Sequence, residues 1–151
     1  IFIHRDAGGT PDGILGTHVD DLLCAGNGSF NADMQNLMQV LLFGKEEEGE
    51  FTYRGRQIKQ FATNGEVQVN MEKLIKGVEE IRLTPERAKQ TGQQVTAQER
   101  SLLRGLNGSL QWYTTHVGIA GSYEVAVAKS NEGVEAKVKD ILKSNKILRR
   151  L

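Results

Sequence analysis

The run Gly13-Ile14-Leu15-Gly16-Thr17-His18-Val19-Asp20-Asp21-Leu22-Leu23-Cys24-Ala25-Gly26 decides how the rest of the chain is read. Two short apolar stretches, the first partly β-branched, flank an adjacent pair of acids. That order predicts an antiparallel β-hairpin over residues 14–25 with its carboxylates at the tip. Neighbouring carboxylates repel, and the repulsion is tolerated most easily where a divalent cation lies between them and nearby groups. Mg²⁺ takes few carboxylates and fills its shell with water and substrate phosphates. Two such ions about 3.5–4 Å apart hold both the attacking and the leaving oxygen of a phosphoryl transfer. On spacing alone the pair fits equally a turn that simply favours Asp.

Working outward, Met34, Leu37, Met38, Leu41 and Leu42 recur at the spacing of one helical face. They predict an amphipathic helix over about 31–43, started by Ser29 or Asn31 and ended by Gly44. Strand-like segments at Phe51–Tyr53 and Gln57–Phe61, the turn dipeptide Asn64-Gly65 and the alternation of Val67, Val69 and Met71 predict a second hairpin over about 51–71. The period then turns helical through Leu74, Ile75 and Val78, with Thr84-Pro85 as its stop. Residues 86–95 are polar without a period and read as a linker. Thr96-x-x-Glu99 is a capping box, and Leu102, Leu103, Leu106, Leu110 and Tyr113 form the stripe of a helix to about Thr115. Gly105 and Gly108 inside it cost about 1 kcal/mol each against Ala, so a close approach is expected there. Val134, Val138, Ile141, Leu142 and Leu148 mark a last, basic-flanked helix.

The chain has 151 residues, with 19 Lys+Arg against 19 Asp+Glu. That balance excludes a polycationic tail that holds nucleic acid or anionic lipid by counterion release alone, so any basic groove must be local. A hydrophobic share of 38% predicts a modest core. Cys24 is the single cysteine, which excludes an internal disulfide and a zinc site built on several thiolates, and fits a reducing compartment. No run approaches a membrane span and the first residues lack the pattern of a signal peptide, so an intracellular, cytoplasmic location is expected. His4, His18 and His116 have no metal-ligand spacing and read as ordinary turn, strand or helix residues. Trp112 and Tyr113 read as core more readily than as base-stacking platforms.

The run Gly13–Gly26 resembles the catalytic hairpin of copia-type (Pseudoviridae-like) LTR retrotransposon reverse transcriptases, whose usual core is aromatic-Val-Asp-Asp; His18 stands where Tyr is common. Further ordered segments are similar to that family: Phe51–Ile58, Asn64-Gly65-Glu66-Val67, Thr96–Arg104, Gly108-Ser109-Leu110-Gln111-Trp112, and Ser144-Asn145-Lys146 with Leu148-Arg149. His116-Val117-Gly118-Ile119-Ala120 departs from the family's Arg-Pro-Asp and apolar run.

The resemblance implies an α+β fold: an antiparallel palm-type sheet with a packed helix, followed by a mostly helical thumb and connection segment. Its divisions are expected at 1–83 for the C-terminal part of the palm, 84–95 for a linker and 96–151 for the helical segment. It implies an RNA-directed DNA polymerase with Asp20 as a ligand of Mg²⁺ or Mn²⁺ and Asp21 beside the metals, serving an RNA template and a DNA primer in a cytoplasmic retroelement particle. The remaining metal carboxylate, the fingers and a ribonuclease H region belong to other parts of such a polymerase, so this chain is expected to be a fragment and inactive alone. His18, Arg54, Arg56 and Lys59 are candidate nucleic-acid contacts, the last three equally readable as a solvated strand face. The competing expectation is a non-catalytic structural or interaction subunit, derived from a retroelement fragment and held by protein subunits of a larger assembly.

Overall fold

Strands β1 (Phe2–Arg5), β2 (Pro11–His18) and β3 (Asp21–Gly26) form an antiparallel sheet of order β1-β2-β3 in the computed structural model, which describes residues 1–41 and 43–151. The fold is α+β, with antiparallel sheets and α-helices. The chain divides into two units, Ile1–Tyr53 and Arg54–Leu151. Residues 54–83, expected to belong with the first hairpin, therefore lie in the second unit.

In the first unit, the β2–β3 register runs from Gly13 opposite Gly26 to His18 opposite Asp21, which leaves Val19 and Asp20 as a two-residue loop. This is the hairpin that the alternation of apolar and acidic residues predicts. The β1–β2 connection is fixed by Asp6, whose carboxylate accepts the Gly8 N–H at 2.9 Å and the Thr10 N–H at 2.8 Å. Helix α1 (Gly28–Val40) then returns over the sheet. It buries only Phe30, whose ring fills the notch left by the paired glycines Gly13 and Gly26. A Cβ on either glycine would overlap that ring, so the requirement here is space rather than turn geometry.

Helix α1 begins before the expected position. Asn27 is its N-cap, and Ser29 lies inside the helix with its hydroxyl donating to Asp12. Met34, Leu37 and Met38 are half-buried and Leu41 is exposed, while Leu42 lies outside the described residues. The apolar stripe thus finds only partial cover within this unit. Strand β4 (Glu50–Tyr53) ends it.

The second unit opens on Arg54-Gly55, with φ of 50° and 77°. Two successive left-handed residues are the geometry of a type I′ hairpin turn. Strand β5 (Arg56–Gln60) pairs antiparallel with β6 (Val67–Asn70), from Gln57 opposite Asn70 to Gln60 opposite Val67. With β4 the order is β4-β5-β6, a meander of three strands rather than the single hairpin expected over 51–71.

Helices α2 (Glu72–Gly77), α3 (Pro85–Lys89), α4 (Ala97–His116), α5 (Ser122–Ser130) and α6 (Val138–Leu148) follow, with a 3₁₀ turn at Ile119–Gly121. The α4 capping box forms as its sequence predicts, each of Thr96 and Glu99 accepting the other's backbone N–H through its side chain. Leu103, Leu106 and Leu110 of α4, Val125 of α5 and Ile141 and Ile147 of α6 make the centre of the core.

Two expectations are corrected here. Thr84-Pro85 starts a helix instead of ending one: the Thr84 hydroxyl accepts the Arg87 N–H, and Pro occupies the first turn, where its missing N–H costs nothing. The 84–95 segment, expected as a surface linker, contains α3 and is tied to its neighbours. Arg87 makes a two-pronged contact to Glu99, 2.8 Å from Nε and 2.7 Å from Nη2. Buried Val95 donates its N–H to the Ala136 carbonyl at 3.0 Å. A polar sequence without a period thus hides a segment held by side-chain and backbone hydrogen bonds rather than by an apolar face.

Candidate metal-binding hairpin and nucleic-acid face

The tip of the β2–β3 hairpin is where the two expected metal carboxylates stand. Asp20 is the second loop residue and Asp21 the first residue of β3; both are exposed, and His18, opposite Asp21, is half-buried. Val19 has φ 53° and is 86% exposed. A β-branched residue in the left-handed region costs about 1–2 kcal/mol, and a turn with positive φ at its first central residue favours Gly there. The loop therefore keeps a local strain that no burial of Val19 offsets, the kind of outlier that concentrates at functional turns.

Chemically, the pair supplies two carboxylates to solvent and little else. No group of three or more His, Cys, Asp or Glu side chains among the described residues could hold a metal ion. Two carboxylates alone would fill only part of a Mg²⁺ shell, so the hairpin by itself makes no complete metal site.

The three strand cations do not form one patch. Successive side chains of β5 point to opposite faces. The Arg56 guanidinium lies 5.8 Å from the centre of the Trp112 ring, whereas the Lys59 ammonium lies 5.6 Å from that of Phe61, just past the end of the strand. Arg54 sits in the tight turn before β5.

Trp112, read as core, is 37% exposed. Besides Arg56 it meets the His116 ring at 4.1 Å, and His116 Nδ1 donates to the Trp112 carbonyl at 2.7 Å. The signal was present in the sequence: Trp112 follows Leu110 by two positions, which turns it about 200° away from the Leu103–Leu110 stripe.

That outer side of α4 carries Arg104, Gly105, Gly108, Gln111, Trp112 and Thr115. No acidic residue occurs between Glu99 and Glu124. A Cβ built on Gly105 or Gly108 meets nothing within 4 Å among the described residues, so none of them makes the close approach expected at these glycines.

A further cluster was not foreseen. His4 Nδ1 lies 2.5 Å from Asp12 Oδ1 and His4 Nε2 2.9 Å from Asp33 Oδ2, while Ser29 donates to the other oxygen of Asp12. The Asp12 side chain is 6% exposed. The Ser29 and His4 hydrogen bonds hold its carboxyl below the usual range; those from Asp12 and then Asp33 raise the His4 imidazole above its ordinary value. This is not a Ser–His–Asp relay, because the hydroxyl contacts Asp12 rather than the imidazole, and a carboxyl held below its usual range is a poor base for its proton. His4 and Asp12 lie eight residues apart with no helical or metal-ligand spacing, so only the β1–β2 register reveals them.

Comparison with known protein families, with curated proteins and with solved structures gives no match to this chain. No helix among the described residues is long and apolar enough to cross a membrane.

Proposed function

We propose that this chain is the C-terminal palm and thumb/connection part of a copia-type reverse transcriptase, in which Asp20 and Asp21 belong to the catalytic centre of RNA-directed DNA synthesis. The observation that carries the reading is the strained two-residue loop presenting Asp20 to solvent at the end of an apolar hairpin. A Val at positive φ beside two repelling acids costs a purely structural turn energy without return, whereas at a metal-binding tip a cation would offset the repulsion between the acids. The bound ion, Mg²⁺ or Mn²⁺, would supply positive charge against the phosphates of the reacting nucleotide. In that setting Asp20 holds a ligand oxygen at the tip and Asp21 adds negative charge at the first residue of β3.

The acid-free side of α4 supports a nucleic-acid partner. Phosphates approach where carboxylates are absent, the two glycines allow a backbone to come close, and Arg56 stacked on Trp112 offers a cation beside an aromatic surface. The partners are then an RNA template and a DNA primer, and the setting an intracellular retroelement particle.

The test is primer extension on an RNA template with Mg²⁺ or Mn²⁺, using the 151-residue chain and a longer chain that adds fingers and the upstream palm. The short chain should extend nothing and bind Mg²⁺ weakly. The longer one should polymerise, losing several orders of magnitude with Asp20→Asn and little with His18→Tyr. Equal polymerisation by Asp20→Asn removes the metal assignment.

One feature favours a second reading, a non-catalytic interaction subunit. Ile119, Tyr123 and Val127 are 80%, 79% and 41% exposed at successive four-residue steps along the 3₁₀ turn and α5. An apolar stripe of that kind fits a protein partner. Stable copurification with one protein, without activity in any longer chain, would select it.

A further inference from the structure

The polar cluster of the first unit joins three elements through one imidazole. His4 is on β1, Asp12 on β2 and Asp33 on α1, and Ser29, also on α1, donates to Asp12. Each ring nitrogen of His4 faces a carboxylate oxygen, at 2.5 and 2.9 Å. A neutral imidazole has one N–H, so it satisfies only one of these oxygens and turns a lone pair toward the other; only the imidazolium donates to both. The Phe30 ring of α1 meets the His4 ring edge-on, with centroids 5.6 Å apart.

The start of this helix is pinned to β2 whatever the charge of His4, because the Ser29 hydroxyl and the Phe30 N–H donate to the Asp12 carboxylate and the Asn27 N–H to the Asp12 carbonyl, whereas His4 reaches α1 only through Asp33. Phe30 is its sole buried residue. Between α1 and the sheet runs an apolar groove of about 300 Å³ walled by Phe2, Ile3, Leu15, Met34 and Leu37, with His4 and Asp33 on its lining. The groove leaves the turns around Met34 and Leu37 room to move, so the His4–Asp33 contact decides how firmly that part of α1 is held.

We propose that His4 is a pH-operated latch: as imidazolium it fastens the Asp33 turn of α1 to the β1–β2 edge of the hairpin sheet, and on losing its proton it releases that turn and those beyond it. The charged groups facing it are Asp12 from β2 and Asp33 from α1; Gly13 lies opposite it on β2 and the Phe30 ring meets it edge-on. Both neighbours are acids, and so both favour the proton. Because the closed state holds its proton more tightly than the open one, the fastening is complete below the ordinary imidazole value near 6.5 and is lost as pH rises through the higher value of the closed state. Asp12 sets the acid limit in the opposite sense, its contribution vanishing as pH falls through its lowered value. Release uncovers the half-buried Met34 and Leu37 beside the groove. The hairpin carrying Asp20 and Asp21 is thereby stiffer in mildly acidic than in alkaline solution.

The experiment is amide hydrogen exchange of α1 in the 151-residue chain between pH 5.5 and 8.5, divided by the intrinsic chemical rate, alongside NMR titration of the His4 ring. A His18→Gln background leaves His4 as the only histidine of this unit, and the Cys24 thiol, raised by burial, stays protonated through most of the range. His4 should titrate above 6.5, and α1 opening should rise tenfold for each unit by which it does so. His4→Gln should open at the alkaline rate at every pH. Should that variant fail to fold, Asp33→Asn, at an exposed site, should lower the His4 midpoint and shrink the pH-dependent rise together. An α1 exchange rate unchanged across the range, or a His4 midpoint at or below 6.5, overturns the latch.

Discussion

Replacing Gly105 and Gly108 by Ala should make this protein more stable and a poorer binder of nucleic acid. Both glycines lie inside α4, where Gly is about 0.8–1.0 kcal/mol less favourable than Ala. Nothing lies within 4 Å of a Cβ at either position, so no clash subtracts from the gain. The double variant should gain about 1.5–2 kcal/mol, which for a chain of this size raises the melting temperature by roughly 3–8 °C. If the glycines are there to let a primer–template duplex approach the helix, the two methyl groups hold its backbone off, and affinity should fall by roughly tenfold, about 1.4 kcal/mol. Calorimetric melting and duplex binding at one fixed salt concentration read the two effects separately. A lower melting temperature refutes the reading of open space. A higher one with unchanged affinity refutes the assignment of this face to nucleic acid and leaves the glycines without a role.

Three further outcomes follow from packing and charge. Val19→Gly should relieve the left-handed strain at the hairpin tip and, after the entropy that Gly adds to the unfolded chain, stabilise by about 0.5–1 kcal/mol in thermal unfolding. Asn145→Ala should cost about 2–5 kcal/mol in urea denaturation, because the buried Asn145 amide accepts the Ile81 N–H at 3.0 Å and donates to the Ile81 carbonyl at 2.9 Å, leaving both backbone groups unpaired when removed. Glu99, held down to about 2 chiefly by Arg87, contributes stability that is full above its ordinary 4.5 and lost as pH falls through 2. That span corresponds to about 3 kcal/mol, and Glu99→Gln should flatten the urea midpoint across it.

Local chemistry was readable wherever one signal acted alone. The hairpin tip follows from two acids between apolar runs, and the α4 start from Thr96 and Glu99, because each depends on residues within a few positions. Thr84-Pro85 shows the limit of such signals. The same dipeptide can stop the chain before it or start a helix after it, and the Thr84 hydroxyl's bond to Arg87 decides between them. The 84–95 segment was misread because Arg87 and Glu99 are twelve residues apart and polarity alone does not distinguish a solvated link from an ion-paired one. The split of Arg56 from Lys59 was available from strand alternation, once β5 was known to include both. The His4 cluster was not, since it exists only through the β1–β2 register and the return of α1.

The setting of Trp112 fixes what light will report about this molecule. It is the single tryptophan, half in water, with a guanidinium over its ring and an imidazole alongside. Its emission should therefore be red-shifted in the native state and change little in colour when the chain denatures, so an unfolding curve followed by wavelength would understate the transition. Intensity, by contrast, should respond to whatever displaces Arg56 or the His116 ring. The natural fluorophore is a detector of the outer side of α4, and a poor one for the core a turn away.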